Sequence, residues 1–155
     1  MNQLWARRGA WCVLVLGAAL VPAWAGDSLW GTVTAVKEPT LVTLDYGTGS
    51  YDIRIVGIDG PKAGDAQYMP AMKLVRYLVL NKHARMRLHR RGNGGELICR
   101  LVTDEPVYKE VGVELVRFGL ARRQAGYDEK YGELSAAENE ARAAGRGIWA
   151  AAQPR

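Results

Sequence analysis

The 155-residue chain is poor in cysteine and histidine, with two of each. Cys12 lies in an N-terminal leader, so beyond it only Cys99 remains and no disulfide can close within the body of the chain. That excludes a disulfide framework. Cys99 sits in the apolar-rich run 97–102, where a buried thiol is expected rather than a reactive one. His83 and His89 lack metal-ligand spacing and read as surface residues. The apolar run 11–21 falls short of the roughly 20 residues that a membrane span needs. Neither sign of charge dominates: of 21 Lys and Arg against 16 Asp and Glu, only Arg7 and Arg8 lie in the first 25 residues, leaving 19 against 16. The balance is mildly basic and far from that of a dedicated nucleic-acid-binding domain. Internal repeats and low-complexity segments are absent as well.

Residues 1–25 combine Arg7-Arg8, the apolar run and Ala23-Trp24-Ala25, a small-x-small cleavage pattern. They read as a secretory signal ending at Ala25, with an uncleaved anchor as the alternative. No lipid-attachment cysteine follows. The expectation is a periplasmic or secreted protein with one domain over 26–150, a disordered tail over 151–155 and no membrane span after signal cleavage.

Within that domain, 30–36 and 41–46 are rich in β-branched and aromatic residues and are separated by Glu38-Pro39, which predicts a hairpin. Gly47-Thr48-Gly49-Ser50 turns the chain into a third strand over 51–56, completing an antiparallel meander. A structureless loop follows over 60–68. Pro70 suits the first turn of a helix whose stripe is Ala71, Leu74, Val75, Leu78 and Val79. Alternation returns over 84–89, with Ala84, Met86 and Leu88 on one side and Arg85, Arg87 and His89 on the other. The turn 90–95 leads to a partner strand over 96–103. A short helix over 111–118 is stopped by Gly119, and a last helix, capped by Asp128, carries Tyr131, Leu134, Ala137 and Ala141 to Gly145, after which Trp149 tucks back. Five strands, a helix between the third and fourth, and two further helices imply an α+β fold: a five-stranded OB-type β-barrel with three helices.

The chain is organised around Tyr51-Asp52-Ile53-Arg54-Ile55-Val56-Gly57-Ile58-Asp59-Gly60-Pro61-Lys62. Alternation holds Arg54 on a rigid strand, and the turn at Gly60-Pro61 presents Asp59 near its end. A guanidinium and a carboxylate so placed suit a phosphodiester and a metal, or form a structural ion pair.

Three stretches then resemble the thermonuclease family of staphylococcal-nuclease-like domains. They are Ile53-Arg54-Ile55-Val56-Gly57-Ile58-Asp59-Gly60-Pro61, Glu114-Leu115-Val116-Arg117-Phe118-Gly119-Leu120-Ala121, and 134–149 with Ala137-Glu138 and Gly145-Arg146-Gly147-Ile148-Trp149. The resemblance implies calcium-dependent phosphodiester hydrolysis, with two aspartates on the metal, a glutamate acting on water and two arginines on the phosphate. It assigns Arg54 to the first arginine and Asp59 to one metal ligand. It also exposes departures: Thr40 stands at the other aspartate and Lys62 at the glutamate, while the second arginine falls on Cys99 or, with a slip of one residue, on Arg100. Arg54 and Arg100 are thus the candidate catalytic arginines, and Arg54, Lys62, Arg85 and Arg87 the candidate phosphate-binding residues.

Calcium takes six or more oxygen ligands, and Asp59 alone is a poor start. Glu38, Asp45 and Asp65 are the conceivable substitutes. The expectation is a catalytically inactive domain without a cofactor, which binds nucleic acid or a protein partner in the envelope or periplasm. A calcium-dependent nuclease with a rearranged site is the alternative. Arg54, Lys62, Arg85, Arg87, His89, Arg90 and Arg91 would form a basic stripe suited to a single strand, or else a solvated face whose charges blunt an edge strand.

Overall fold

A computed structural model describes residues 28–104, 107–127 and 132–152. The expected leader 1–25, the capping residue Asp128, Tyr131 and the end of the expected tail lie outside the described residues. Eleven elements follow one another: β1 (Ser28–Glu38), β2 (Leu41–Asp45), β3 (Ser50–Ile55), β4 (Ile58–Asp59), α1 (Tyr68–Val79), β5 (His83–Arg91), β6 (Leu97–Thr103), α2 (Val111–Arg117), β7 (Arg122–Arg123), α3 (Glu133–Ala143) and a 3-10 turn (Gly147–Ala152).

Five strands close a barrel in the order β1-β2-β3-β6-β5. The meander β1-β2-β3 is antiparallel, as its tight turns require, whereas β3 meets β6 in parallel, with Arg54 opposite Ile98. Antiparallel β5 joins β6 and also β1, which completes the ring. Register shifts in β1 and in β5 bend these strands enough to close it. Every second side chain points inward, so Val33, Val42, Leu44, Ile53, Ala84, Cys99 and Leu101 are fully buried. Each large aliphatic among them contributes about 1.5–3 kcal/mol by leaving water.

α1 lays Ala71, Met72, Val75, Leu78 and Val79 onto this core. Its C-terminus passes through Asn81, whose φ of 58° places it in the left-handed region that asparagine tolerates, into β5. α2 buries Val111, Leu115 and Val116 and ends at Gly119 (φ 67°). There Leu120 N–H donates to Leu115 C=O at 2.8 Å. Buried Glu114 is held by Arg117, which reaches Glu140 of α3 at 3.2 Å and so ties the two helices together. Gly119 and Gly147 approach backbone to backbone too closely for either to carry a Cβ, and the guanidiniums of Arg122 and Arg142 lie 5.0 and 4.2 Å from the Trp149 ring centroid.

Two features differ from the sequence expectation. β1 runs on to Glu38, because the break falls only at Pro39. Asp59 does not stand in a loop: Ile58 and Asp59 form a two-residue strand with Arg123 and Arg122, outside the barrel.

Candidate functional site

Gly57 sets the geometry. Its φ of 79° turns the chain out of β3, and a Cβ there would lie 2.6 Å from the Tyr127 ring. The turn opens a cleft of about 750 Å³ at the end of the barrel, between β3, the 60–63 loop, the end of β5 and Tyr127. Ile98 forms part of its floor, while Glu38, Thr40, Arg54, Asp59, Lys62, His89, Arg90 and Gln124 supply its polar lining.

Arg54 projects outward from β3, between Leu41 of β2 and Ile98 of β6. Its carboxylate neighbours are not Asp59 but Glu38 at 3.4 Å and Glu96 at 3.6 Å. Arg54 thus already faces two carboxylates, and the alternative reading of a structural ion pair with Asp59 gives way to pairs with Glu38 and Glu96. Thr40 abuts Gly60, so closely that a Cβ on Gly60 would collide with the threonine methyl. Pro61 follows, and Lys62 is exposed, with no carboxylate on its ammonium among the described residues. The loop beneath it is tightened by Asp65, whose Oδ2 accepts from Lys62 N–H at 2.7 Å. The His89 ring meets Tyr127 edge-on, with centroids 5.9 Å apart. Arg90 enters the cleft because the register shift after Leu88 sets it opposite Ile98.

The predicted site residues divide between the cleft and other surfaces. Arg54, Asp59 and Lys62 come together in it. Arg85 and Arg87 do not line it; they lie farther back on β5, Arg85 over Trp30 at 5.4 Å and Arg87 opposite Arg100. Arg100 is turned elsewhere. Its guanidinium binds Glu110 and, at 2.5 Å, Glu133. The bond to Glu110 is the main cause that holds it more firmly protonated than usual. The alternative position, Cys99, is inside the barrel against the Met86 sulfur at 3.8 Å, and burial pushes its thiol up to about 12. Neither alternative places a second arginine in the cleft; among the described residues Arg90 is the other guanidinium that lines it.

The substitute metal ligands separate in the same way. Asp45 is at the other end of β2, roughly 13 Å along the strand from Leu41, and its Oδ1 accepts from Gly47 N–H at 2.8 Å. Asp65 is engaged in its own turn. Glu38 shares the cleft with Asp59 but is bound to Arg54. Among the described residues no three histidine, cysteine, aspartate or glutamate side chains gather where they could hold a metal ion. Calcium takes six or more oxygen ligands, of which Glu38 and Asp59 are the carboxylates that the described cleft lining offers, and the Lys62 ammonium in the same lining would oppose its charge.

Glu96, Gln124 and Tyr127 are contributors that sequence reasoning missed, whereas Arg90 was among the residues of the expected basic stripe. The turn 90–95 gives a local reason for a chain reversal but none for Glu96 to face Arg54. That follows from the parallel pairing of β3 with β6.

A family model described as staphylococcal nuclease homologue matches residues 52–151. The matched span begins after Glu38 and Thr40 and includes Arg54, Asp59 and Lys62. No curated protein matches the chain.

Proposed function

The chain belongs to the staphylococcal nuclease homologues, and from that membership we propose that it is an exported protein that binds nucleic acid in the cleft and performs no calcium-dependent hydrolysis. The family is nuclease-like and its function is related to nucleic acid. The observation that carries the reading is the cleft's composition: Lys62, His89 and Arg90 stand in its lining to meet a phosphate, while Glu38 and Asp59 are too few to form a cluster of three ligating side chains among the described residues. An ammonium has three donors and no acceptor, so Lys62 binds an oxyanion but cannot take a proton from water. Export rests on the leader pattern, Arg7-Arg8, an apolar run and Ala23-Trp24-Ala25, and a periplasmic or secreted location follows from it.

One observation favours the calcium-dependent alternative: Glu38 and Asp59 line the same cleft, and release of Glu38 from Arg54 would bring a second carboxylate to the ion. The deciding experiment incubates single- and double-stranded DNA with the protein, in calcium and in chelator, beside an Asp59→Ala variant. Binding without cleavage in either condition is the expected result. Calcium-dependent cleavage lost in Asp59→Ala would establish the alternative. A protein partner, the remaining reading, would engage apolar surface such as Met69 and Tyr77 of α1, which are 58% and 75% exposed. Such a contact would depend far less on salt than one to phosphates.

A further inference from the structure

Two sets of arginines stand apart in this protein. Among the described residues Arg54, Arg100, Arg117, Arg142 and Arg146 each have a carboxylate partner. Arg85, Arg87 and Arg90, all on β5, have none among the described residues. Their cross-strand neighbours offer no acid: Arg85 lies between Trp30 and Val102, Arg87 between Ser28 and Arg100, and Arg90 opposite Ile98. Glu110 and Glu133, which approach Arg100, are already committed to it.

Protection of an edge strand does not explain Arg85 and Arg87, because that part of β5 is paired with β1 on one side and with β6 on the other; Arg90 lies beyond the β1 pairing, where β5 meets β6 and lines the cleft. Two arginines set directly opposite each other, Arg87 and Arg100, destabilise a sheet. A row of cations without carboxylate partners among the described residues, kept at that cost, is complementary to a row of anions. At its far end Trp30 is 42% exposed, and the Arg85 guanidinium lies 5.4 Å from its ring centroid. With Arg85 over one face of the ring, a base can stack on the exposed part of Trp30 while the guanidinium meets its phosphate, since aromatic side chains and arginines together form such stacking platforms.

We propose that the outer face of β5 extends the cleft into a track for one extended strand of nucleic acid, with phosphates on Arg90, Arg87 and Arg85 and a base stacked on Trp30. Outward-facing residues of a strand repeat at about 7 Å, and Arg85 lies roughly 17 Å along β5 from Arg90. That reach suits a ligand at the short end of the ~4–16 nucleotides that an OB fold covers. A duplex cannot use the track fully, since its base faces are already stacked on one another. The inference rests on the cleft reading above, of which it names the ligand class and a second contact point.

The test measures anisotropy of fluorescein-labelled dT10 and dT3 with the full chain, with Trp30→Ala, Trp30→Phe and Arg85→Ala/Arg87→Ala variants, and with Lys62→Ala as the cleft variant. Thermal unfolding verifies that each variant folds. Trp30→Ala is expected to weaken dT10 about tenfold and leave dT3 unchanged, the equivalent of one lost stacking contact. Trp30→Phe should recover most of that loss, the double arginine variant should weaken dT10 alone, and Lys62→Ala should weaken both oligonucleotides. Unchanged dT10 affinity in Trp30→Ala and in the double arginine variant, with Lys62→Ala still weakening both, would overturn the track and leave the cleft reading standing. Failure of the parent protein to bind either oligonucleotide would overturn both. A DNA duplex that competes with dT10 as well as unlabelled dT10 does would also refute the track.

Discussion

Removing the Lys62 ammonium should change how strongly salt weakens oligonucleotide binding, by an amount that follows from the number of cations proposed to meet phosphates. Each phosphate neutralised on a single strand contributes about −0.7 to the slope of log affinity against log salt. Lys62, Arg85, Arg87 and Arg90 lack carboxylate partners among the described residues, whereas Arg54 already faces Glu38 and Glu96 and is not counted. Four phosphate contacts give a slope of about −2.8, so dT10 affinity should fall about fifty-fold between 50 and 200 mM KCl. In Lys62→Ala three contacts remain, with a slope of about −2.1 and a fall of about twenty-fold over the same range. Titrations of labelled dT10 at five KCl concentrations and constant pH measure both slopes. A parent slope near zero would show that phosphate contacts do not hold the ligand. A slope that Lys62→Ala leaves unchanged would remove Lys62 from the interface.

Lys62→Glu alone should give no calcium-dependent cleavage, because Thr40 and the Arg54-bound Glu38 still leave the metal short of ligands; robust cleavage by this single variant would refute our account of the cleft. Gly57→Ala should lower stability by about 2–5 kcal/mol, from the left-handed backbone and from collision with the Tyr127 ring. In thermal unfolding this is a fall of roughly 10 °C in Tm, and a fall below about 2 °C would contradict the steric reason for glycine at this turn. Cys99, with its thiol near 12, should be about one part in ten thousand thiolate at pH 8. In a Cys12→Ser background a thiol reagent should therefore titrate Cys99 only after denaturant is added, and rapid labelling of the folded protein would count against its burial. The hydrogen bond from Lys37, then that from Thr43, holds the Asp52 carboxyl below its usual value. Because the folded pKa is depressed, this stabilisation is present above about pH 4 and is lost as pH falls through the folded pKa. Asp52→Asn should thus be less stable than the parent at pH 7 by under about 1 kcal/mol, both partners being largely exposed, with the gap closing in acid; urea unfolding at pH 7 and pH 3 tests this, and a gap that widens at pH 3 would reverse the assigned sign.

The sequence alone determined the local elements and the faces they present. Alternation along 51–56 and 84–89 separates Ile53, Ala84 and Met86, which the barrel buries, from Arg54 and Arg87, which it does not, because successive side chains of a strand point to opposite faces. The stripe from Ala71 to Val79 and the stop at Gly119 were equally legible, since each depends on neighbours within a few residues. The three ordered motifs carried the family and brought Arg54, Asp59 and Lys62 to notice. Only the tertiary structure decided what stands around them. Periodicity reports the face on which a residue lies but not which strand lies beside it, and that depends on how a distant part of the chain closes the barrel. Parallel pairing of β3 with β6 sets Glu96 against Arg54, α3 supplies Glu133 to draw Arg100 away, and one register shift in β5 turns Arg90 into the cleft. Pairing of β5 with both β1 and β6 likewise places Arg85 and Arg87, which in the sequence could equally guard an edge, on the outward face of an interior stretch of strand.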